Sequence, residues 1–207
     1  MCSLDGTGFN PESIRITPFQ NIPELKTFHS GNKDLDNFIG TDEVHDYERE
    51  MYGKTFLVHY NDAFVAYFTL ASTVLRNEWL REPVKGPREL IVKPIPSLLL
   101  GRLAVQDEWH GKGIGTYILK LIVGKAIKLS DTIGVRLVVL TAYPDNINWY
   151  GNRGFHMCVD KHLKITSKES RTKPFMYLDL KLIKESRLTS GATKSISPPS
   201  SKQQSPQ

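Results

Sequence analysis

The sequence predicts an α/β domain built on a mixed β-sheet. Two strands, Thr55–Tyr60 and Ala63–Arg76, are joined by Asn61-Asp62, a pair that favours a tight hairpin turn. A strongly apolar strand, Ser97–Gln106, then enters a glycine-rich turn and an amphipathic helix, Gly113–Leu129. Helix-like and strand-like segments continue to alternate after it. This mixture of a hairpin and a strand–helix–strand pattern is typical of one sheet with helices packed against it.

The spacing of apolar residues predicts the remaining elements. Strands are expected at Ser13–Phe19, Val135–Tyr143, Phe155–Asp160 and Phe175–Leu180, and helices at Lys33–Glu48 and Asn146–Asn152. Four prolines between Asn77 and Pro96 predict a surface loop, and loops of this length are often functional. We therefore expect an N-terminal extension over residues 1–12, a single domain over 13–182 and a disordered polar tail over 183–207.

Composition bounds the class of protein. With 207 residues, 40% hydrophobic and 24% charged, the chain has the composition of a globular protein. Its formal net charge of +5 favours anionic partners, such as a phosphate-rich cofactor or an RNA. Cys2 and Cys158 are too few for a disulfide framework and lack metal-ligand spacing, so we expect a cytoplasmic protein without a metal. No signal peptide is visible, and no apolar stretch approaches the roughly 20 residues of a membrane span.

The turn after the apolar strand carries the chemistry. It reads His110-Gly111-Lys112-Gly113-Ile114-Gly115 and leads directly into a helix. Glycines let the backbone approach a ligand closely and adopt positive φ. Several amide N–H groups can then converge at the helix N-terminus, where the helix dipole also favours negative charge. With the added charge of Lys112, this arrangement suits a diphosphate.

Two common phosphate-binding motifs do not match the sequence of this turn. A Walker A loop needs Ser or Thr directly after its lysine, where this chain has Gly113. It also needs a glycine five positions before the glycine that precedes the lysine, where this chain has Gln106. A dinucleotide fingerprint needs a glycine three positions after Gly113, where this chain has Thr116. It also needs an acidic residue at the end of the next strand. That strand ends in Leu140-Thr141-Ala142-Tyr143.

A third pattern fits better. The turn resembles the Gln/Arg-x-x-Gly-x-Gly/Ala motif of the GNAT acetyltransferases, with His110 where the family usually has Gln or Arg. Further on, Asn146–Phe155 resembles the family's closing signature, an aromatic pair followed by Gly-Phe. Three other segments resemble one branch of the family: Phe28–Asn32 with Leu35–Phe38, Gly101–Val105, and Met176–Leu180. The resemblance covers about residues 13–182, and this branch includes ordinary acetyltransferases and toxins that acetylate aminoacyl-tRNA.

The resemblance implies the GNAT fold, a mixed central sheet with a splay between strands 4 and 5, flanked by helices. It also implies acetyl-CoA as co-substrate, with the pantetheine arm between those strands and the diphosphate on the glycine turn. The implied cofactor-binding residues are Leu103, Ala104, Val105, His110, Gly111, Lys112, Gly113, Ile114, Gly115, Thr116 and Asn146.

Tyr150 is the implied general acid. A phenol has an ordinary pKa of about 10, above the roughly 8.5 of a thiol, so it stays protonated and can protonate the departing thiolate. The alternative is that Tyr150 only packs in the core. Asp107, Glu108 and His110 lie just beyond strand 4, but each is read as a turn residue and not as a base. An acceptor of low amine pKa needs no protein base.

The acceptor stays open at this stage. The main expectation is a primary amine of a small molecule or protein. This amine attacks the thioester carbonyl directly, without a covalent enzyme intermediate. One alternative is a toxin that modifies the α-amine of aminoacyl-tRNA, which would have an antitoxin partner, and another is a non-catalytic acyl-CoA-binding module. A homodimer is compatible with each. The basic residues that could form an RNA-binding surface are Lys54, Arg76, Arg81, Lys85, Arg88, Lys93 and Arg102.

Overall fold

Seven strands form one mixed sheet in this computed structural model, which describes residues 9–84, 94–159 and 173–192. In chain order the strands are β1 (Ile14–Pro18), β2 (Lys54–Tyr60), β3 (Ala63–Arg76), β4 (Pro94–Val105), β5 (Leu137–Thr141), β6 (His156–Met157) and β7 (Phe175–Asp179). Their order across the sheet is β1-β2-β3-β4-β5-β7-β6. Neighbours pair antiparallel except β4 and β5, which are parallel.

Five α-helices accompany the sheet in the described part of the chain: α1 (Lys33–Gly40), α2 (Glu43–Arg49), α3 (Ile114–Leu129), α4 (Ile147–Gly151) and α5 (Leu180–Ala192). Alternate residues of β3 show how they are arranged. Phe68 packs in one cluster with residues of α3 and α5, whereas Tyr67 packs in another with residues of α1 and α2. Because successive strand side chains point to opposite faces, α1–α2 and α3 cover opposite faces of the sheet.

The predicted hairpin is confirmed. Tyr60 lies opposite Ala63, and the two residues between them, Asn61 and Asp62, have φ of 47° and 63°. Positive φ at both central positions is typical of a type I′ turn, whose twist matches that of the flanking strands. Asn and Asp tolerate positive φ better than most residues.

The predicted splay is confirmed as well. β4 pairs with β5 only over Ser97–Leu100, opposite Leu137–Leu140. β5 ends at Thr141, whereas β4 continues to Val105 and stays paired to β3. The last five residues of β4 therefore face an open gap on the β5 side.

Gly101 lies where this gap begins. In the β3–β4 register Thr69 is opposite Arg102 and Leu70 is opposite Leu100, so Gly101 is the extra residue of a β-bulge. A Cβ atom on Gly101 would lie 2.8 Å from Thr69 Oγ1. Only glycine fits this close approach without a shift of the Thr69 side chain.

Two parts of the fold differ from the expectation. The predicted helix Lys33–Glu48 is two helices, because Thr41 adopts extended backbone after Gly40 and its hydroxyl donates to Asn37 O, which ends α1. At the other end, α5 runs to Ala192, inside the segment 183–207 where the sequence predicted a disordered tail. Leu180 is buried at its start, and Lys184 pairs with Asp131 at 2.6 Å.

Other expectations fall partly or wholly outside the described residues. These are residues 1–8 of the N-terminal extension, residues 193–207 of the tail, and the basic candidates Lys85, Arg88 and Lys93. Within the described residues, no helix is long and apolar enough to span a membrane.

Gly101→Ala should destabilise the protein by about 1–3 kcal/mol, because the new methyl group overpacks the bulge against Thr69. Urea unfolding followed by circular dichroism measures the change. The control is Gly124→Ala in α3, where a Cβ meets nothing within 4 Å and a stabilisation of about 0.5–1 kcal/mol is expected. Equal stability of Gly101→Ala and wild type would contradict the proposed role of the bulge.

Candidate active site

A cavity of about 730 Å³ lies where β4 and β5 separate. It collects most of the residues that the sequence singled out. Its lining includes Leu103, Ala104, Val105, His110, Gly111, Gly113, Ile114, Gly115, Thr116, Asn146 and Tyr150. Lys112, the remaining predicted residue, does not line it; its ammonium lies 4.4 Å from the centre of the Trp109 ring.

The register of β4 determines which backbone groups face the gap. Gln106 N–H donates to Val65 O at 2.8 Å, which makes Val105 and Ala66 a pair without mutual hydrogen bonds. The N–H and C=O of Val105 therefore point away from β3, into the gap, and by alternation so do those of Leu103. Those of Ala104 point toward β3. An extended ligand in the gap can pair with Leu103 and Val105 as an added strand would.

The glycine turn closes one end of the cavity. Gly111 and Gly113 have φ of 73° and 87°, and α3 begins at Ile114. The first amides of α3 have no acceptor within the helix and lie at its positive end, so they can bind an anion. A Cβ on Gly115 would lie 3.7 Å from both Val105 and Trp149, so the turn is packed closely against β4 and α4.

Arg153 supplies the positive charge that sequence reasoning missed. It lines the cavity, donates to Thr116 Oγ1 and to Trp149 O at 2.8 Å each, and stacks 4.0 Å from the Trp149 ring. Burial lowers the pKa of its guanidinium, but arginine stays protonated at neutral pH. Its Nε is buried without a hydrogen-bond partner among the described residues. Its position three residues after Tyr150, inside the aromatic Gly-Phe signature, was the signal that could have identified it.

Tyr150 is both packed and within reach of the cavity. It is 8% exposed, and its ring lies edge-on to Trp149 at 4.8 Å and to Phe155 at 5.6 Å. Burial raises the pKa of its phenol to about 12. Among the described residues, the Tyr150 hydroxyl has no hydrogen-bond partner. The side chain is therefore a protonated phenol that can donate to a group in the cavity.

The N-terminal element, which the sequence linked to the family by resemblance only, forms another wall. Ser30, Asn32 and Leu35 line the cavity. Asp36 holds this segment in place, because it accepts from Ser30 N at 2.8 Å and from Ser30 Oγ at 2.6 Å. Gly31 has φ of 75° and approaches Asp107, whose carboxylate would lie 3.1 Å from a Cβ there.

Of the residues weighed as a base only His110 lines the cavity, and none of the described basic candidates for RNA binding does. Asp107 and Glu108 do not line it, and Glu108 accepts from the Trp109 indole at 3.0 Å. Lys54 pairs with Glu48, Arg76 with Glu78 and Arg102 with Glu43, at 2.8, 3.7 and 3.1 Å. Among the described residues no group of His, Cys, Asp and Glu has the arrangement of a metal site.

Known proteins resemble this chain in sequence and in fold. No family model matches it. The tRNA-acetylating toxin of Mycobacterium tuberculosis (strain ATCC 25618 / H37Rv) is 24% identical over 151 residues, which are 72% of this chain and 89% of that protein. The crystal structure of a bacterial toxin superposes with a TM-score of 0.71 at 17% identity, covering 84% of this chain and 95% of that one.

Two structures of the toxin AtaT also match. AtaT complexed with acetyl-methionyl-tRNAfMet has a TM-score of 0.69 at 18% identity and covers 84% of this chain and 99% of that one. A mutant of AtaT bound to acetyl-CoA and to the C-terminus of the antitoxin AtaR has a TM-score of 0.65 at 18% identity, covering 84% and 98%. This chain therefore has the GNAT acetyltransferase fold and resembles the branch of that family that includes the toxins of toxin–antitoxin systems.

Proposed function

We propose that this chain is an acetyl-CoA-dependent N-acetyltransferase that acetylates the α-amine of an aminoacyl-tRNA. The observation that carries the chemistry is a single cavity in which the open edge of β4, the glycine turn and Tyr150 meet. This cavity has a backbone edge for a pantetheine arm, a glycine turn with Arg153 and Lys120 beside it for a diphosphate, and the phenol of Tyr150 as a proton donor.

The acceptor is inferred from the relatives. The main expectation from the sequence was a small-molecule or protein amine, but the names of the matching proteins favour the alternative, since they are a tRNA-acetylating toxin and a toxin bound to acetylated methionyl-tRNA. The amine chemistry agrees. An α-amino group has an ordinary pKa of about 8, so part of it is unprotonated at neutral pH and can attack without a protein base. The toxin class further suggests that an antitoxin binds this chain.

The chain's own residues bind and orient the cofactor. The N–H and C=O of Leu103 and the N–H of Val105 would pair with the pantetheine amides, as an added strand would, while Val105 O accepts from His110. The amides at the start of α3 hold the diphosphate, with Arg153 and Lys120 beside them in the cavity. In the proposed reaction, a backbone N–H beside the Gly101 bulge stabilises the oxyanion that forms on the thioester carbonyl.

In the proposed reaction, Tyr150 donates one proton and then regains one. The amine nitrogen attacks the carbonyl carbon, and the carbon–sulfur bond breaks as the tetrahedral intermediate collapses. Tyr150 donates its hydroxyl proton to the departing sulfur and is reprotonated by the proton that the nitrogen loses. The products are the N-acetyl group and free coenzyme A, and the phenol is restored.

The proposal is tested by incubating the full chain with labelled acetyl-CoA and a mixture of charged tRNAs. Ribonuclease digestion and mass spectrometry then detect N-acetyl-aminoacyl-adenosine. Uncharged tRNA, free amino acids and spermidine are the controls. Label in a control amine but not in charged tRNA would reject the proposed acceptor and return the small-amine alternative; no label anywhere would reject the enzymatic activity.

Tyr150→Phe should lower kcat by about 10²-fold or more, because it removes the proton donor and keeps the ring. The affinity for acetyl-CoA, measured by calorimetry, should stay within about twofold, since the hydroxyl is not part of the diphosphate or pantetheine contacts. Tyr117→Phe is the matched control, because Tyr117 lines the same cavity and has no assigned role in proton transfer. Wild-type kcat in Tyr150→Phe would leave Tyr150 as a packing residue.

The pH profile of kcat should show no alkaline decline below about pH 10. The acid form of Tyr150 is the active one, and it is lost only as pH rises through its pKa of about 12. A stable acceptor, in which an amide replaces the aminoacyl ester, allows the measurement at high pH. A decline centred near pH 9 would identify a different, more acidic proton donor.

A further inference from the structure

His110 occupies the position where the family usually has Gln or Arg, and one of its two ring nitrogens is hydrogen-bonded. Its Nε2 lies 2.7 Å from Val105 O. A carbonyl oxygen can only accept a hydrogen bond, so Nε2 carries the hydrogen in either protonation state of the ring. The other nitrogen, Nδ1, has no hydrogen-bond partner among the described residues. It is therefore a bare acceptor in the neutral ring and a second donor in the protonated ring.

The ring lies at the place where an anion is expected. His110 lines the cavity together with Gly111, Gly113 and the first residues of α3. A neutral ring would turn the lone pair of Nδ1 to a phosphate oxygen, and two acceptors do not attract. A protonated ring would donate a charge-assisted hydrogen bond to the same oxygen. A Gln or Arg side chain has a donor at every pH and shows no such dependence.

Charges of both signs surround the imidazole. Asp107 Oδ1 lies 3.7 Å from Nε2, and its other oxygen lies 3.4 Å from His29 Nε2. Glu108 and Lys112 flank His110 in the sequence, and the cavity lining also contains Lys120, Arg153 and the phenols of Tyr117 and Tyr150.

We propose that His110 is a protonation-dependent ligand of the cofactor's diphosphate, which keeps its Nε2–H on Val105 O and donates Nδ1–H to a phosphate oxygen. The inference rests on the proposed binding of acetyl-CoA and concerns its regulation. Binding of the cofactor then takes up a proton. By linkage, the affinity rises as the pH falls and the ring takes up its second proton, and it falls as the pH rises.

Calorimetric titration of the full chain tests this directly, without an acceptor. Each titration is made at pH 5.5, 7 and 8.5, in two buffers of different ionisation enthalpy, so that proton uptake is measured together with Kd. Because a 3′-phosphate itself titrates near pH 6, the probe is 3′-dephospho-acetyl-CoA, which keeps the diphosphate and lacks that group.

For wild type, Kd should fall about tenfold or more from pH 8.5 to 5.5, with net proton uptake at pH 7. His110→Gln should bind with little pH dependence and lose the uptake, since its amide donates to Val105 O but does not titrate. His110→Arg carries a fixed charge and should bind tightly at all three pH values. His156→Gln removes an exposed histidine that does not line the cavity and should behave as wild type.

The outcomes separate the two proposals. Proton uptake by His110→Gln equal to that of wild type, with both proteins folded by thermal melting, would overturn the role of His110 and leave the proposed function intact. Wild type that binds the probe at no pH would overturn the proposed function, and this inference with it.

Discussion

The end of pairing between β4 and β5 is the feature on which the site depends. Parallel hydrogen bonding stops after Leu100 and Leu140, and Ala142 N–H then donates to Pro174 O, on the β7 side. Two residues later Pro144 has no amide hydrogen to give to a sheet. β4 itself continues to Val105, because β3 still pairs with it. The result is a strand edge inside the molecule. The N–H and C=O of Leu103 and the N–H of Val105 face the gap, whereas the Val105 carbonyl already accepts from His110 Nε2 at 2.7 Å.

Unpaired backbone groups away from water are costly, so such an edge is retained where a ligand can satisfy it. The surrounding elements keep it open and shaped. Tyr67, buried on β3, donates to Leu35 O at 2.7 Å and holds α1 over one face. On the other side, Gly115 packs beside Val105 and Trp149, which places the turn against the strand.

The basic character of the chain has two separable parts. Arg153 and Lys120 lie in the cavity, and Arg153 is partly buried, so their charge is suited to a bound diphosphate. Lys54, Arg76 and Arg102 lie outside it in ion pairs with carboxylates. Exposed pairs of this kind contribute about 0–1 kcal/mol each, so RNA phosphates can compete for the same cations. The charges in the cavity and the charges in surface ion pairs are therefore separate groups.

The sequence by itself determined the fold class, the hairpin turn and half of the residues that line the cavity. These follow from local chemistry: the period of apolar residues, the φ values that Asn61-Asp62 and the glycines permit, and the family resemblance of two motifs separated by one strand. Tyr150 was identified in the same way, although its role in proton transfer stays a prediction.

Only the tertiary structure decided the rest. That Leu103 and Val105, but not Ala104, present their backbone to the gap follows from the register with β3, which no local pattern encodes. That Arg153 and the Ser30–Leu35 segment reach the cavity, and that α5 packs where a disordered tail was expected, follows from contacts between distant parts of the chain. Local propensity does not contain such contacts, because their free energy arises only when the sheet has formed.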